Sequence, residues 1–275
     1  MTKNGIGILT FALNSEHVDY EKLAYLMAIS YIATNKHKLP LAVVVNDRKN
    51  CLQKLHNVFD HVITKKDFEC VNAMHHESHL LDYTPFAETI KIESDMLLTG
   101  DIYHWIKHLR LMDLCFTNTI YGFDNQTCND YFYRKYIYQN NLPNIYNGFM
   151  YVRYCEYTYN YFDKVNFIFH NWNDEKKNFR MFDNFEPSTD FAMAMACHYT
   201  NDIKLGVNPT GVPGFIHAKP WVSHNNNLSW HEYFNWSIVD PNTVIVEGVK
   251  AKWPIHYYSK DFCTDKIIQQ YEQAI

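Results

Sequence analysis

Glu93-Ser94-Asp95 sets two carboxylates two positions apart, where the alternating stretch Glu88 to Glu93 gives way to Met96-Leu97-Leu98 and the turn signal Gly100-Asp101. Residues i and i+2 of an extended segment point to the same side, so both acids can face one divalent cation. Hard oxygen donors favour Mg²⁺ or Mn²⁺, and such ions commonly hold substrate phosphates as well. An arbitrary Glu-x-Asp is more often a solvated pair in a turn. Here the acids stand between a strand that reads as buried and an apolar triplet, an unusual place for idle charge.

Two further stretches pair a histidine with a lysine after an apolar run: Gly214-Phe-Ile-His217-Ala-Lys219-Pro-Trp221 and Pro254-Ile-His256-Tyr-Tyr-Ser-Lys260-Asp261. One such pair alone is usually structural; two in one chain favour a functional reading. His75-His76-Glu77-Ser78-His79 also carries ligating residue types, but its glutamate comes one residue too late for the zinc-protease pattern. It reads as a helix leading into the Glu88 strand, with a nucleotide contact from one histidine as the functional alternative.

The elements that must position these groups alternate strand and helix. Gly5 to Leu13 reads as a first strand; its Gly5-x-Gly7-x-x-Thr10 lies inside the strand rather than in the turn after it, which excludes a Rossmann nicotinamide site. Asn14 or Ser15 is placed to cap a helix to about Asn35, with Tyr20, Leu23, Ala24, Met27, Ala28 and Tyr31 on one face. Leu39 to Val45 suits a central parallel strand, Lys49 to Phe59 a weaker helix, and His61 to Thr64 a short strand. This βαβαβ order implies a parallel sheet with helices on its faces. Leu111 to Thr117 reads as another strand, Tyr146 to Val152 as a strand, and Ser188-Thr189-Asp190 opens a helix, where Ser188 and Asp190 suit capping.

The chain of 275 residues has the length of one large domain, with about 206–275 as a C-terminal segment that carries the two His/Lys stretches and folds back over the site. Hydrophobic residues make up 47% and charged ones 20%, a globular balance, and a net charge of −5 gives the whole chain no footprint for nucleic acid. Seven scattered cysteines without C-x-x-C spacing favour reduced thiols, hence a cytoplasmic setting. The apolar run near Met1 is better explained by a buried strand than by a signal peptide, and no run nears the roughly 20 residues needed to span a bilayer.

The stretch from Pro85-Phe86 through Ile90-Lys91-Ile92-Glu93-Ser94-Asp95-Met96-Leu97 resembles the metal-binding segment of GT-A glycosyltransferases, in particular family 8 and its small phage-encoded relatives. Glu93 stands where that family has a first aspartate, keeping the charge on a longer arm. Tyr146-Asn147-Gly148-Phe149-Met150 resembles the family's donor-sugar strand without the residue between asparagine and glycine, and Ser188-Thr189-Asp190 resembles the segment whose acid lies beside the reacting sugar. The two His/Lys stretches resemble the family's closing metal histidine and diphosphate lysine: His256 and Lys260 by spacing and nearness to the end, His217 and Lys219 by the Lys-Pro-Trp tail.

The resemblance implies a single GT-A-type α/β domain, with a mixed, mostly parallel sheet flanked by helices. It also implies transfer of a sugar from a nucleoside diphosphate donor, foremost a UDP-sugar, to a hydroxyl, with retention of anomeric configuration as family 8 has it. Glu93, Asp95 and His256 would hold Mn²⁺ or Mg²⁺, with His217 as the alternative histidine; Lys260, or Lys219 if His217 is the ligand, would face the diphosphate; Asp190 and Asn147 would line the sugar site. Composition rich in Asn, Lys, Ile, Tyr and Phe fits a phage source, which would place the protein in the host cytoplasm. The acceptor is then either a modified pyrimidine such as 5-hydroxymethylcytosine in phage DNA or a surface glycan such as lipopolysaccharide. Tyr131-Phe-Tyr-Arg-Lys-Tyr-Ile-Tyr138 interleaves aromatics with cations and reads either as an aromatic-rich core helix or strand or as a stacking surface for sugars or bases; for a DNA acceptor Arg134 and Lys135 are candidates for phosphates, and Tyr131, Tyr133 and Tyr136 for stacking. Different classes of function for the same residues are a metal-dependent phosphohydrolase and an inactive sugar-binding module.

Overall fold

Apolar runs rich in β-branched residues build the centre of the molecule. The computed structural model describes residues 3–128, 130–180, 186–200, 212–223 and 226–275. Strands β1 (Ile6–Ala12), β2 (Leu41–Val45), β3 (His61–Thr64) and β4 (Glu88–Ile92) are parallel neighbours in the order β3-β2-β1-β4. After the short β5 (Met96–Leu97) come β6 (Leu114–Thr117), β7 (Thr119–Tyr121) and β8 (Tyr146–Arg153). β8 inserts between β4 and β6, antiparallel to both, and completes a six-stranded sheet in which it alone runs against the rest. The sheet is mixed and mostly parallel, as expected.

Alternation along the strands feeds both faces. Ile8, Val43, Val45, Ile90 and Ile92 join the helix Tyr20–Thr34 in one core, whereas Leu9, Phe11, Ala42, Val44 and Met150 meet the helices Glu156–His170 and Thr189–Tyr199 in the other. Gly7 is needed where β1 passes Phe86, because a Cβ there would lie 2.4 Å from that ring.

Two helices differ from the sequence expectation for local reasons. The first begins at Tyr20 with Asp19 as its cap, since Ser15 engages the amide of Val18 in a turn; Asn14 still accepts from Glu21 N at 3.0 Å, a first-turn amide. The expected helix Lys49–Phe59 shrinks to Leu55–Val58. There the Asp47 carboxylate takes the amide of Lys49 and the side chain of Asn50, offering the backbone a turn instead of a helix.

The C-terminal part supplies β9 (Gly214–His217), the meander β10 (Trp236–Asp240), β11 (Thr243–Val246) and β12 (Val249–Lys250), and then β13 (Ile255–His256). Residues 206–211 of the expected C-terminal segment lie outside the described residues. β5, β13, β9 and β7 form a second sheet in that order. The closing helix Asp265–Glu272 returns to the first one through Lys22–Asp265 at 2.7 Å and Tyr25 Oη–Glu272 at 2.8 Å. No described helix is long and apolar enough to cross a membrane, and none of the cysteines is in a disulfide.

Candidate active site

β4 ends at Ile92, so Glu93, Ser94 and Asp95 occupy the tight link to β5 rather than an extended strand. The backbone holds this link on both sides: Glu93 N donates to Gly148 O at 2.9 Å, and Tyr257 N donates to Asp95 O at 3.2 Å. The antiparallel pairing of β13 with β5 sets His256 opposite Met96, next to the acids. The parallel pairing of β13 with β9 sets His217 opposite His256. Two short strands from the far end of the chain thus carry imidazoles to the carboxylates.

His256 Nε2 lies 3.0 Å from Asp95 Oδ2 and 3.2 Å from Glu93 Oε2, and one ligand atom from each of the three residues falls within 4.8 Å of the others. Two carboxylate oxygens and an imidazole nitrogen form a donor set that suits Mn²⁺ or Mg²⁺. His217 is outside this group; its Nδ1 stands 3.1 Å from Nδ1 of His256. Burial alone would raise the Asp95 carboxyl, but His256 and the ion pair with Lys260 hold it well below the usual carboxylate range. Burial, reinforced by Lys219, pushes His217 well below its ordinary value, so its ring is neutral.

Glu93, Asp95, Asn147, Asp190, His217, Lys219, His256 and Lys260 all line one cleft of about 350 Å³. Lys219 lies against the rings of Tyr133 and Tyr258, 4.7 and 5.4 Å from their centroids, and burial, then Arg134, lowers its ammonium. Asp190 does not cap its helix with Ser188; its two oxygens accept from Asn147 N at 2.7 Å and from Arg134. Gly148 is fitted to its place by packing, since a Cβ would come 3.1 Å from Met96 and Phe215.

The structure corrects the nucleic-acid reading of Tyr131–Tyr138. The segment is a helix, Tyr131–Gln139, and Arg134 is on its inner face, 4% exposed, bound to Asp190, Ile145 O and, at 3.5 Å, Asp130. Its charge is committed to the protein and points into the cleft rather than outward to a DNA backbone, and Tyr136 is buried with it. Tyr133 packs on Lys219, and the Lys135 ammonium lies 5.0 Å from the Tyr136 centroid. Only Tyr131, Phe132 and Tyr138 of this helix's aromatics are exposed, and Phe132 stacks on Trp221 at 5.7 Å.

Glu77 and Lys91 line the cleft without having been singled out in the sequence. Lys91 is 0% exposed and bridges Glu77 at 3.0 Å, Glu93 at 3.7 Å and Asn147 O at 3.1 Å, while Glu77 also accepts from the Asn147 side chain. Burial alone would lower the Lys91 ammonium; Glu77 and Glu93 overcome it and hold it above its ordinary value. A signal existed in the two-residue period, which puts Lys91 and Glu93 on one side of the strand. In the histidine stretch it is Glu77 that enters the cleft. Burial lowers the His75 imidazole to about 4, and the ring accepts from Val71 N and donates to Asn166 Oδ1 at 2.6 Å.

No protein-family model matches the chain, and no curated protein sequence matches it. Among solved structures it is similar to mouse xyloside xylosyltransferase 1 in its apo form, at 12% identity over 72% of this chain and 83% of that one, with a TM-score of 0.48. It is also similar to the glycosyltransferase GlyE of Streptococcus pneumoniae TIGR4, at 13% identity, 70% and 43% coverage and a TM-score of 0.40. A third similarity is to the bifunctional glycosyltransferase WbbM, at 9% identity, 61% and 35% coverage and a TM-score of 0.39, so the chain spans less than half the length of the latter two.

Proposed function

We propose that the protein is a metal-dependent glycosyltransferase that uses a nucleoside diphosphate sugar, foremost a UDP-sugar. The observation that carries this reading is the meeting of Glu93, Asp95 and His256 within 4.8 Å in a cleft that also holds Lys219, Lys260, Asn147 and Asp190. Glu93, Asp95 and His256 would hold Mn²⁺ or Mg²⁺, which when bound supplies Lewis-acid stabilisation of a diphosphate leaving group. Lys260 and Lys219 add positive charge where that group leaves. Asp190, braced by Arg134, and the Asn147 amide face the sugar. One metal-ligating group among the described residues suits this chemistry better than two-metal phosphoester hydrolysis.

UDP is expected to raise the melting temperature only when Mn²⁺ is present. At about 100 times Kd the stabilisation is ~2.7 kcal/mol, roughly 5–10 °C for a chain of this size. Equal stabilisation by UDP in EDTA would refute the metal, and none under any condition would refute the nucleotide.

We infer a glycan rather than DNA as acceptor, because Arg134 is unavailable and the exposed surface beside Lys219 is aromatic: Phe132, Trp221 and Tyr258. Faces of this kind stack on sugar rings at no cost in charge. Trp221→Ala and Phe132→Ala should each lower transfer to a saccharide acceptor several-fold, roughly 1 kcal/mol per lost stacking contact, mostly in KM. Lys135→Ala should have little effect, and raising the salt none. Transfer to hydroxymethylated DNA with a steep salt dependence, and to no saccharide, is the outcome that reverses this choice.

A further inference from the structure

His256 and His217 meet nitrogen to nitrogen, Nδ1 to Nδ1 at 3.1 Å, and the in-register pairing of β13 with β9 sets that contact through the backbone. A neutral imidazole carries one proton, so two facing nitrogens are joined only when one holds a proton and the other does not. A histidine that offers Nε2 to a cation must carry its proton on Nδ1. For His256 that proton points at His217 Nδ1, which must then be bare, and the proton of His217 resides on Nε2.

His217 Nε2 in turn faces Asp130 Oδ2 at 3.9 Å and is buried with no hydrogen-bond partner among the described residues. Asp130 is itself 1% exposed, and neither of its oxygens has a hydrogen bond among the described residues; burial raises its carboxyl, and Arg134, whose Nε stands 3.5 Å away, opposes that rise. In the opposite arrangement His256 would direct its Nε2 proton at Asp95 and Glu93, His217 would donate from Nδ1, and its bare Nε2 would confront a carboxylate. Asp130 disfavours that arrangement, since two acceptors would then face each other in a buried place.

We propose that His217 and Asp130 are positioning residues that set the tautomer and ring orientation of His256: they hold its proton on Nδ1, so that Nε2, which rests 3.0 Å from Asp95, can give its lone pair to a cation held by Glu93 and Asp95. The proposal rests on the metal reading above and adds the Asp130–His217–His256 line to it. Neither residue touches the cation. Outer partners of this type tune metal affinity about 10–100-fold.

The test is a calorimetric titration of the full chain with Mn²⁺. His217→Phe keeps the ring and removes the acceptor, and should weaken binding about 10–100-fold. His217→Asn returns an acceptor near the position of Nδ1 and should recover most of the loss; Asp130→Asn should fall between. Independently of any variant, ¹⁵N NMR of the Mg²⁺-loaded wild type should show the His256 proton on Nδ1 and the His217 proton on Nε2. Wild-type affinity in His217→Phe, where Asp95→Asn abolishes binding, overturns the line and leaves the metal site standing. A His256 proton found on Nε2 with Mg²⁺ bound overturns it too. A wild type that binds no Mn²⁺ overturns the metal reading and this proposal with it.

Discussion

On the proposed metal reading, Asp95→Asn is expected to abolish Mn²⁺-dependent nucleotide binding and sugar transfer while the protein stays folded. Replacing an outer partner of a metal ligand costs about 10–100-fold, so loss of a ligand charge should exceed ~100-fold in Mn²⁺ affinity and in kcat/KM. The fold survives because Asp95 lies in the link between β4 and β5, held by its backbone contact with Tyr257 and not by its side chain. The stability loss should be modest, about 1–3 kcal/mol, since Lys260 is left without its acceptor but its side chain is 29% exposed and reaches water. Because the Asp95 carboxyl is depressed in the folded state, its contribution is fully present above the unfolded value of about 3.9 and is lost only as pH falls through the folded one. Denaturation curves of the two proteins should therefore differ throughout the neutral range and converge only in strong acid. Normal transfer by the Asn variant would remove Asp95 from the metal site.

The second large effect is on stability. Lys91→Met leaves Glu77 and Glu93 facing each other beneath the cleft without the ammonium that now separates them at 3.0 and 3.7 Å, and deprives Asn147 O of its donor. Breaking one side of a buried ion pair costs about 3–5 kcal/mol, because the remaining charge cannot be solvated. For a domain of this size that is a fall in Tm of roughly 10 °C. The double variant Lys91→Met with Glu77→Gln should regain part of it, since removing both charges avoids the stranded carboxylate. Chemical denaturation measures both. A single variant within ~0.5 kcal/mol of wild type would show that water reaches this pair and that the bridge does not organise the cleft floor.

The strands and their direction were legible in the residues because short apolar, β-branched runs separated by helical stretches leave few topologies open. His61–Thr64 is observed with the bounds expected, and β1, β2 and β4 differ by one or two residues at their ends. Where local side chains compete for backbone amides, as Asp47 and Ser15 do, the helices shortened. Aromatic content alone could not orient Tyr131–Gln139. Helical geometry turned Arg134 inward, and the acids that claim it, Asp130 and Asp190, are partly remote in sequence.

The sequence by itself determined which residue types were available: a Glu-x-Asp at a strand end, two His/Lys pairs, an Asn-Gly in a strand, and a helix-opening Asp190. Tertiary structure decided what each one faces. That His256 rather than His217 meets the acids follows from the pairing of β13 with β5, a contact between segments about 160 residues apart that no local pattern encodes. The burial of Lys91, a polar residue in an alternating strand, was decided by the insertion of β8 beside β4 and by Glu77 closing over it. Periodicity reports the side of a strand on which a residue lies. Whether that side meets solvent, a second sheet or a charged partner depends on long-range packing, which is set by the whole chain at once.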